Sequence, residues 1–295
     1  MKNQILILLL VFFTGYNTLC AQDLDSLMDE NSSSKEYVKN AFKSTRVING
    51  HSMEFLRPGT MDFRILHRFG LMNQGAKNFF GLDQASMRMG FDFGITNNIM
   101  LGVGRSTFKK ELDGFIKYAP LRQSTGPKSF PLSITFVGGA TINTLPWIDP
   151  TRENFFSSRL AYYGQVIIGR KFSPAFTLQL SPTIVHNNLV PFIDQPNDVY
   201  SLGLGGRYKF SKRMALMVDY FYIVNGLQKD INFNPLSVGI DIETGGHVFQ
   251  LHFSNTTGMN ERAFITETTN RWGKGEIRFG FNLSRVFQIA HKKNK

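Results

Sequence analysis

From Thr60 onward the chain alternates apolar residues with polar residues or glycine, and this constrains its fold more than any other feature. Ala85, Met87, Met89, Phe91, Phe93 and Ile95 alternate with Gln84, Ser86, Arg88, Gly90, Asp92 and Gly94. Met61, Phe63, Ile65 and Phe69 alternate with Asp62, Arg64 and Arg68. Near the other end, Ile277, Phe279, Phe281 and Leu283 alternate with Glu276, Arg278, Gly280, Asn282 and Ser284. Successive side chains of a strand point to opposite faces, so a period of two marks a strand between two unlike surroundings. A soluble sandwich would turn its bulky face inward and a polar face to water. Here the non-apolar face is rich in Gly, Ser, Thr and charge, which suits the interior of a barrel whose outer face meets lipid.

Weaker alternation continues near 98–107, 111–119, 131–142, 158–171, 174–187, 199–210, 213–224, 235–243 and 246–256. Together these segments predict about twelve strands, an even number, with both barrel ends on one side of the membrane. Short links (96–98, 172–174, 211–213, 244–246) alternate with long ones (70–83, 143–157, 188–198, 225–234, 257–275), as they do in barrels with short periplasmic turns and long external loops. One link breaks the phase: 120–130 should be short and is not. Phe172, Phe176, Tyr208 and Phe210 lie beside short turns, and Trp147, Phe155, Phe156 and Trp272 lie in or beside long loops, as interfacial aromatics would. Past the N-terminus no apolar stretch is long enough for a spanning helix. A closed all-β, antiparallel transmembrane barrel is then the remaining way to cross a bilayer with every backbone group paired.

The first residues, MKNQILILLLVFFTGYNTLCAQ, read as a signal peptide over 1–21, cut after Ala21. Leu19 stands where a lipobox needs a small residue, which argues against lipidation of Cys20, the one cysteine. Residues 22–58 are expected to be a polar, partly disordered periplasmic leader, with 44–58 as an extra strand or a segment in the barrel mouth. The barrel is expected over 59–288 and a basic tail over 289–295. The formal charge of +11 would point to nucleic acid in a cytoplasmic protein. In an exported chain it fits loop cations that meet anionic headgroups, or a basic lumen.

The segments FKSTRVINGHS (42–52), GTMDFRILHRFG (59–70), GLDQASMRMGFDFGITNNIMLGVGRS (81–106), DGFIKYAPLRQ (113–123), ETGGHVFQLHFSNT (243–256) and RFGFNLSRVF (278–287) carry a resemblance that covers nearly all of the chain after residue 21. It resembles the outer-membrane β-barrel proteins grouped as a domain of unknown function. The resemblance implies an exported barrel. It supplies no substrate, cofactor or catalytic residue. Barrels of this kind often end on an aromatic residue that the insertion machinery reads; here Phe287 is followed by QIAHKKNK.

The inward parity collects Asp62, Arg64, Arg68, Arg88, Asp92, Glu276 and Arg278 on three strands that become adjacent if the last pairs with the first. Such mixed charge reads as a self-satisfying lumen network, or as a constriction that selects a charged solute. Asp113, Lys117, Arg207, Lys209, Asp219, Asp241 and Glu243 are further inward candidates, spread around the wall. His252 and Ser254 stand two apart on a strand with Asn255 beside them, an outer-membrane phospholipase-like arrangement. Their parity faces the lumen, where lipid does not reach, so no catalytic residue is assigned. The six histidines show no metal-ligand spacing, and Leu202–Gly206 lacks the Lys and the strand-loop-helix context of a phosphate loop. Neither a cofactor nor a metal is expected. The expected role is a non-enzymatic outer-membrane channel or scaffold. An enzyme acting on lipid or lipopolysaccharide, and a docking protein for a periplasmic partner through 22–58, are the alternatives. Expected partners are outer-membrane lipids, lipopolysaccharide and the barrel insertion machinery, without nucleic acid.

Overall fold

The computed structural model describes residues 34–147, 149–190, 195–244 and 247–290. The signal peptide, Cys20, leader residues 22–33 and tail residues 291–295 lie outside the described residues. Twelve antiparallel strands close into a barrel. They are β1 (Thr60–Leu71), β2 (Ala85–Gly94), β3 (Ile99–Ser106), β4 (Leu112–Leu121), β5 (Ser133–Ile142) and β6 (Leu160–Lys171). After them come β7 (Phe176–Asn187), β8 (Asp198–Lys209), β9 (Met214–Asn225), β10 (Leu236–Thr244), β11 (His247–Ser254) and β12 (Arg278–Gln288). Each strand pairs with the next, and β12 closes on β1 with Leu283 opposite Ile65 and Ser284 opposite Arg64. Closure leaves no strand edge open.

The faces follow the alternation. Phe91, Leu101, Val103, Ile116, Phe249, Leu251 and Phe253 are exposed on the outer wall. Cross-strand aromatics tile part of it: His67 stacks on Phe281 at 4.7 Å and Phe69 on Phe279 at 5.8 Å. Asp62, Arg64, Arg88, Asp92, Lys117, Arg207 and Asp219 are buried inside. Gly94 also faces inward, at a close approach: a Cβ there would lie 2.1 Å from the Arg57 carbonyl.

The long link after β4 has a structural use. Within it, Ser124–Thr125 pairs antiparallel with Glu36–Tyr37 and ties the leader across the short-turn end. The assignment of all of 22–58 to a partly disordered periplasmic leader needs correction. Residues 41–58 enter the lumen from the short-turn end, and Phe42, Val47, Ile48, His51 and Ser52 are each at most 1% exposed. From the opposite end, the connection between β11 and β12 also folds inward. It carries the one α-helix among the described residues, α1 (Glu261–Thr266), in which Glu261, Phe264 and Ile265 are fully buried.

Candidate functional site: the filled lumen

The N-terminal insert is built around a tight hairpin. Arg46 and His51 form an antiparallel bridge, Val47 N–H donates to the Gly50 carbonyl (2.8 Å), and Ser52 N–H donates to Thr45 (2.9 Å). A lone hairpin has unpaired backbone groups, which inside a barrel must find side-chain partners. The wall supplies them. Three successive backbone N–H groups, from Ile48, Asn49 and Gly50, point at the Asp219 Oδ2 on β9 at 3.3, 2.7 and 2.9 Å. Gln250 Nε2 donates to the Val47 carbonyl (2.6 Å) and Asn282 Nδ2 to the Ile48 carbonyl (3.0 Å). Gln179 holds the return arm at both ends: its amide nitrogen donates to the His51 carbonyl (2.6 Å), and its oxygen accepts from Met53 N–H (3.0 Å). Glu54 then folds the segment over by accepting from the Ala41 and Phe42 N–H groups.

The loop insert is more self-contained. Asn260 caps α1, its Oδ1 accepting from Ala263 N–H at 2.8 Å. Arg262 forms ion pairs with Glu111 and Glu267, and Lys109 reaches Glu267 at 2.7 Å. Burial pushes the Glu111 carboxyl above its ordinary range. Burial acts the same way on Glu267, but Arg262 and Lys109 outweigh it and hold that carboxyl below its usual value.

The two inserts meet at mid-lumen. Arg46 Nη1 lies 2.9 Å from Glu261 Oε1, with both side chains 1% exposed. His51 Nε2 is 3.4 Å from the same oxygen and 3.2 Å from the Tyr163 hydroxyl of β6. Phe264 packs edge-on against Phe221 at 4.9 Å, and Phe221 also meets Gly50, where a Cβ would sit 2.8 Å from the ring.

The predicted lumen charges do not form one network. Arg64 is 2.6 Å from Asp62 and 3.8 Å from Asp92, while Thr45 of the hairpin donates to Asp92 at 3.0 Å and accepts from Arg64 at 2.6 Å. Arg88 turns to Asp113 on β4, with Nε 2.8 Å from Oδ1. Arg68 binds the Asn49 and Asn282 side-chain oxygens at 2.7 and 3.1 Å, not a carboxylate. Glu276 and Arg278 stand apart. Glu276 precedes β12, and its carboxylate accepts from Arg271 N–H at 2.7 Å. Arg278, half-buried at the strand end, donates to the Phe69 carbonyl at 3.1 Å. Asp219, Gln179, Gln250, Arg46 and Glu261 hold the filling in place. Asp219 was visible to sequence reasoning as an inward acid, but nothing in the sequence marked its partner.

Little in the arrangement resembles a reaction centre. His252 and Ser254 are buried inside the wall, and no hydrogen bond joins them. Ser254 bonds Ser237 (2.7 Å) and Thr256 (2.9 Å), and among the described residues neither ring nitrogen of His252 has a side-chain partner. Among the described residues no group of three His, Cys, Asp or Glu could hold a metal.

A family model described as a membrane-bound β-barrel domain, DUF5777, matches residues 42–287. The chain belongs to this family. The match opens at Phe42, so the family domain takes in the hairpin as well as the wall. No curated protein matches the sequence. Among solved structures, the NanC porin is similar with a TM-score of 0.48 at 8% identity, covering 78% of this chain and all of that one (100%). The KdgM porin follows at 0.46 and 10%, covering 77% and 99%. LpxR from Salmonella typhimurium gives 0.35 at 11%, covering 77% and 99%. Neither the porins nor LpxR bears on what this family member does.

Proposed function

We propose that the chain is a non-enzymatic outer-membrane channel, closed by two inserts that enter its bore from opposite ends. The observation that carries this reading is the character of the bore. Buried polar and charged wall residues interrupt an apolar core, and the inserts are tied to them by hydrogen bonds and ion pairs. Here Thr135, Gln165, Ser201, Asp241 and His252 each turn inward a buried polar atom that has no protein partner among the described residues. Such a wall suits a wet bore once the filling moves aside. The barrel's short-turn end is then periplasmic, and the long loops are external.

Planar-bilayer recording tests this reading. The full chain is expected to be nearly silent, and a variant lacking both 41–58 and the loop insert 259–268 to pass steady current. A folded deletion variant with no current would sink the channel reading and favour a scaffold. Membrane fractionation of the exported chain tests its location.

A further inference from the structure

At the long-loop end, the outside of the barrel carries a groove of about 520 Å³. Its floor is wall: Tyr220 of β9 and its cross-strand partner Leu236 of β10 line it. Tyr220 shares the outward parity of Leu216 and Tyr222, which are exposed on the lipid side. Its upper side is loop, from Phe233 just before β10 and from the turn 271–275 that leads back from the loop insert. Hydrogen bonds fix the rings in place. Trp272 Nε1 donates to the Leu236 carbonyl and Asn234 Nδ2 to the Tyr220 hydroxyl, each at 2.9 Å. Amphipathic rings of this kind suit the level where hydrocarbon gives way to headgroups.

Two cations share the groove. Trp272–Lys274 forms a 3-10 turn, and Lys274 N–H donates to the Arg271 carbonyl at 3.2 Å. Side chains three apart in such a turn lie on one side, and Arg271 and Lys274 both line the groove. The Arg271 guanidinium lies over the Phe233 ring, 4.2 Å from its centre, with Nη2 3.3 Å from the Asp230 carbonyl. Among the described residues no acid lines the groove, and neither cation has a carboxylate within ion-pair distance. Glu276 is turned to the Arg271 backbone N–H instead. Two like charges held on one side of a turn favour an anion between them. Beneath them the exposed Leu216, Leu251 and Phe253 continue the apolar face of β9 and β11. An occupant that uses both parts has an anionic head at the loop side and an apolar body along the wall.

We infer that this groove seats a phosphate of lipopolysaccharide, with Arg271 and Lys274 on the phosphate and acyl chains along Leu216, Leu251 and Phe253. Guanidinium and ammonium groups make charge-assisted hydrogen bonds to phosphate oxygens. The choice of lipopolysaccharide over a phospholipid rests on the reading that the long loops are external, since it occupies that leaflet of an outer membrane. It does not depend on whether the barrel conducts.

The chain has two tryptophans, so Trp147→Phe leaves Trp272 as a reporter in the groove. The full chain with this change is titrated in nonionic detergent with diphosphoryl lipid A. A saturable shift of the Trp272 emission is expected. R271A/K274A should raise the half-saturation concentration by about tenfold or more, and Lys274→Glu, at an exposed position, should raise it in the same direction. Heat-modifiable gel mobility shows that each variant still forms the barrel. Lipid A stripped of phosphate, and phosphatidylglycerol at the same mole fraction, should each respond far more weakly. An unchanged half-saturation in both variants would overturn the site, as would an equal response to dephosphorylated lipid A. Equal binding of phosphatidylglycerol would overturn the assignment to lipopolysaccharide. Orientation has its own test: with Cys20→Ser, Glu153→Cys in a long loop should react with a membrane-impermeant maleimide in intact cells. No reaction there, with lipid A binding in detergent intact, would strike the orientation and not the chemistry of the groove.

Discussion

The two inserts that fill the lumen are held in different ways. The hairpin 45–52 has little structure of its own. Its backbone is completed by the wall, through Asp219, Gln250, Asn282 and Gln179. The loop insert brings its own helix, its own cap and its own apolar face, and grips the rim by side-chain ion pairs. Pulling the hairpin out would strand buried donors and acceptors on both partners. Withdrawing the loop would take Glu261 from the buried Arg46 and Phe264 and Ile265 out of the core, while the Asn260 cap would travel with α1. The hairpin is therefore held mainly through its backbone, and the loop insert through its side chains.

The largest effect should come from Asp219→Ala. It removes the acceptor of three N–H groups at the hairpin tip. Each stranded buried donor costs about 1–3 kcal/mol, so docking of the hairpin should weaken by roughly 4 kcal/mol. Hydrogen exchange at Ile48, Asn49 and Gly50 reads this directly. Protection as strong as in the unaltered chain would show that the wall does not hold the tip. Glu261→Ala should come next, at about 3 kcal/mol, because it leaves the buried Arg46 guanidinium without its carboxylate. Its signature differs: openings in single-channel records should become frequent while the tip N–H groups of Ile48, Asn49 and Gly50, held by Asp219, keep their exchange protection. If both properties fail together, the two inserts are one unit and the division drawn here is wrong. Gln179→Leu keeps the bulk and removes one donor and one acceptor. We expect about 1–2 kcal/mol, confined to exchange at His51–Met53.

The wall was legible because lipid on one side and a polar bore on the other impose contrast at every second residue. All twelve strands follow from it, with ends displaced by a few residues at most. The hairpin was not legible for the converse reason. STRVINGHS is enclosed by the wall and by α1, so no periodicity survives; the Asn49-Gly50 dipeptide was its one local sign of a turn. The candidate site shows the same division. Parity placed Asp62, Arg64 and Asp92 in the interior, but their third partner, Thr45, comes from the segment read as a leader. Parity also carried Glu276 too far, because the chain is still turning at Gly275 (φ 69°) as it returns from the loop insert, and β12 starts only at Arg278.

The smallest effect separates the inserts by pH. Glu267 sits at the long-loop mouth with its carboxyl held below the ordinary range, because Arg262 and Lys109 outweigh the effect of burial. A depressed folded-state value means that this group adds stability above the ordinary carboxylate pKa, and that the stability is lost as pH falls through the folded value. Glu111 has the opposite shift, raised by burial, so acid relieves its penalty and offsets part of that loss. The net change in anchoring of the loop insert should be small, about 1 kcal/mol or less. Glu267→Gln should remove the acid-induced component while leaving that of Glu111. Channel opening recorded as pH is lowered below the carboxylate range should therefore rise in the unaltered chain and stay flat or fall in Glu267→Gln. Equal rises in both would place the acid-sensitive contact elsewhere. Because the hairpin tip depends on Asp219 and on wall amides, its exchange protection in the same experiment should outlast that of α1.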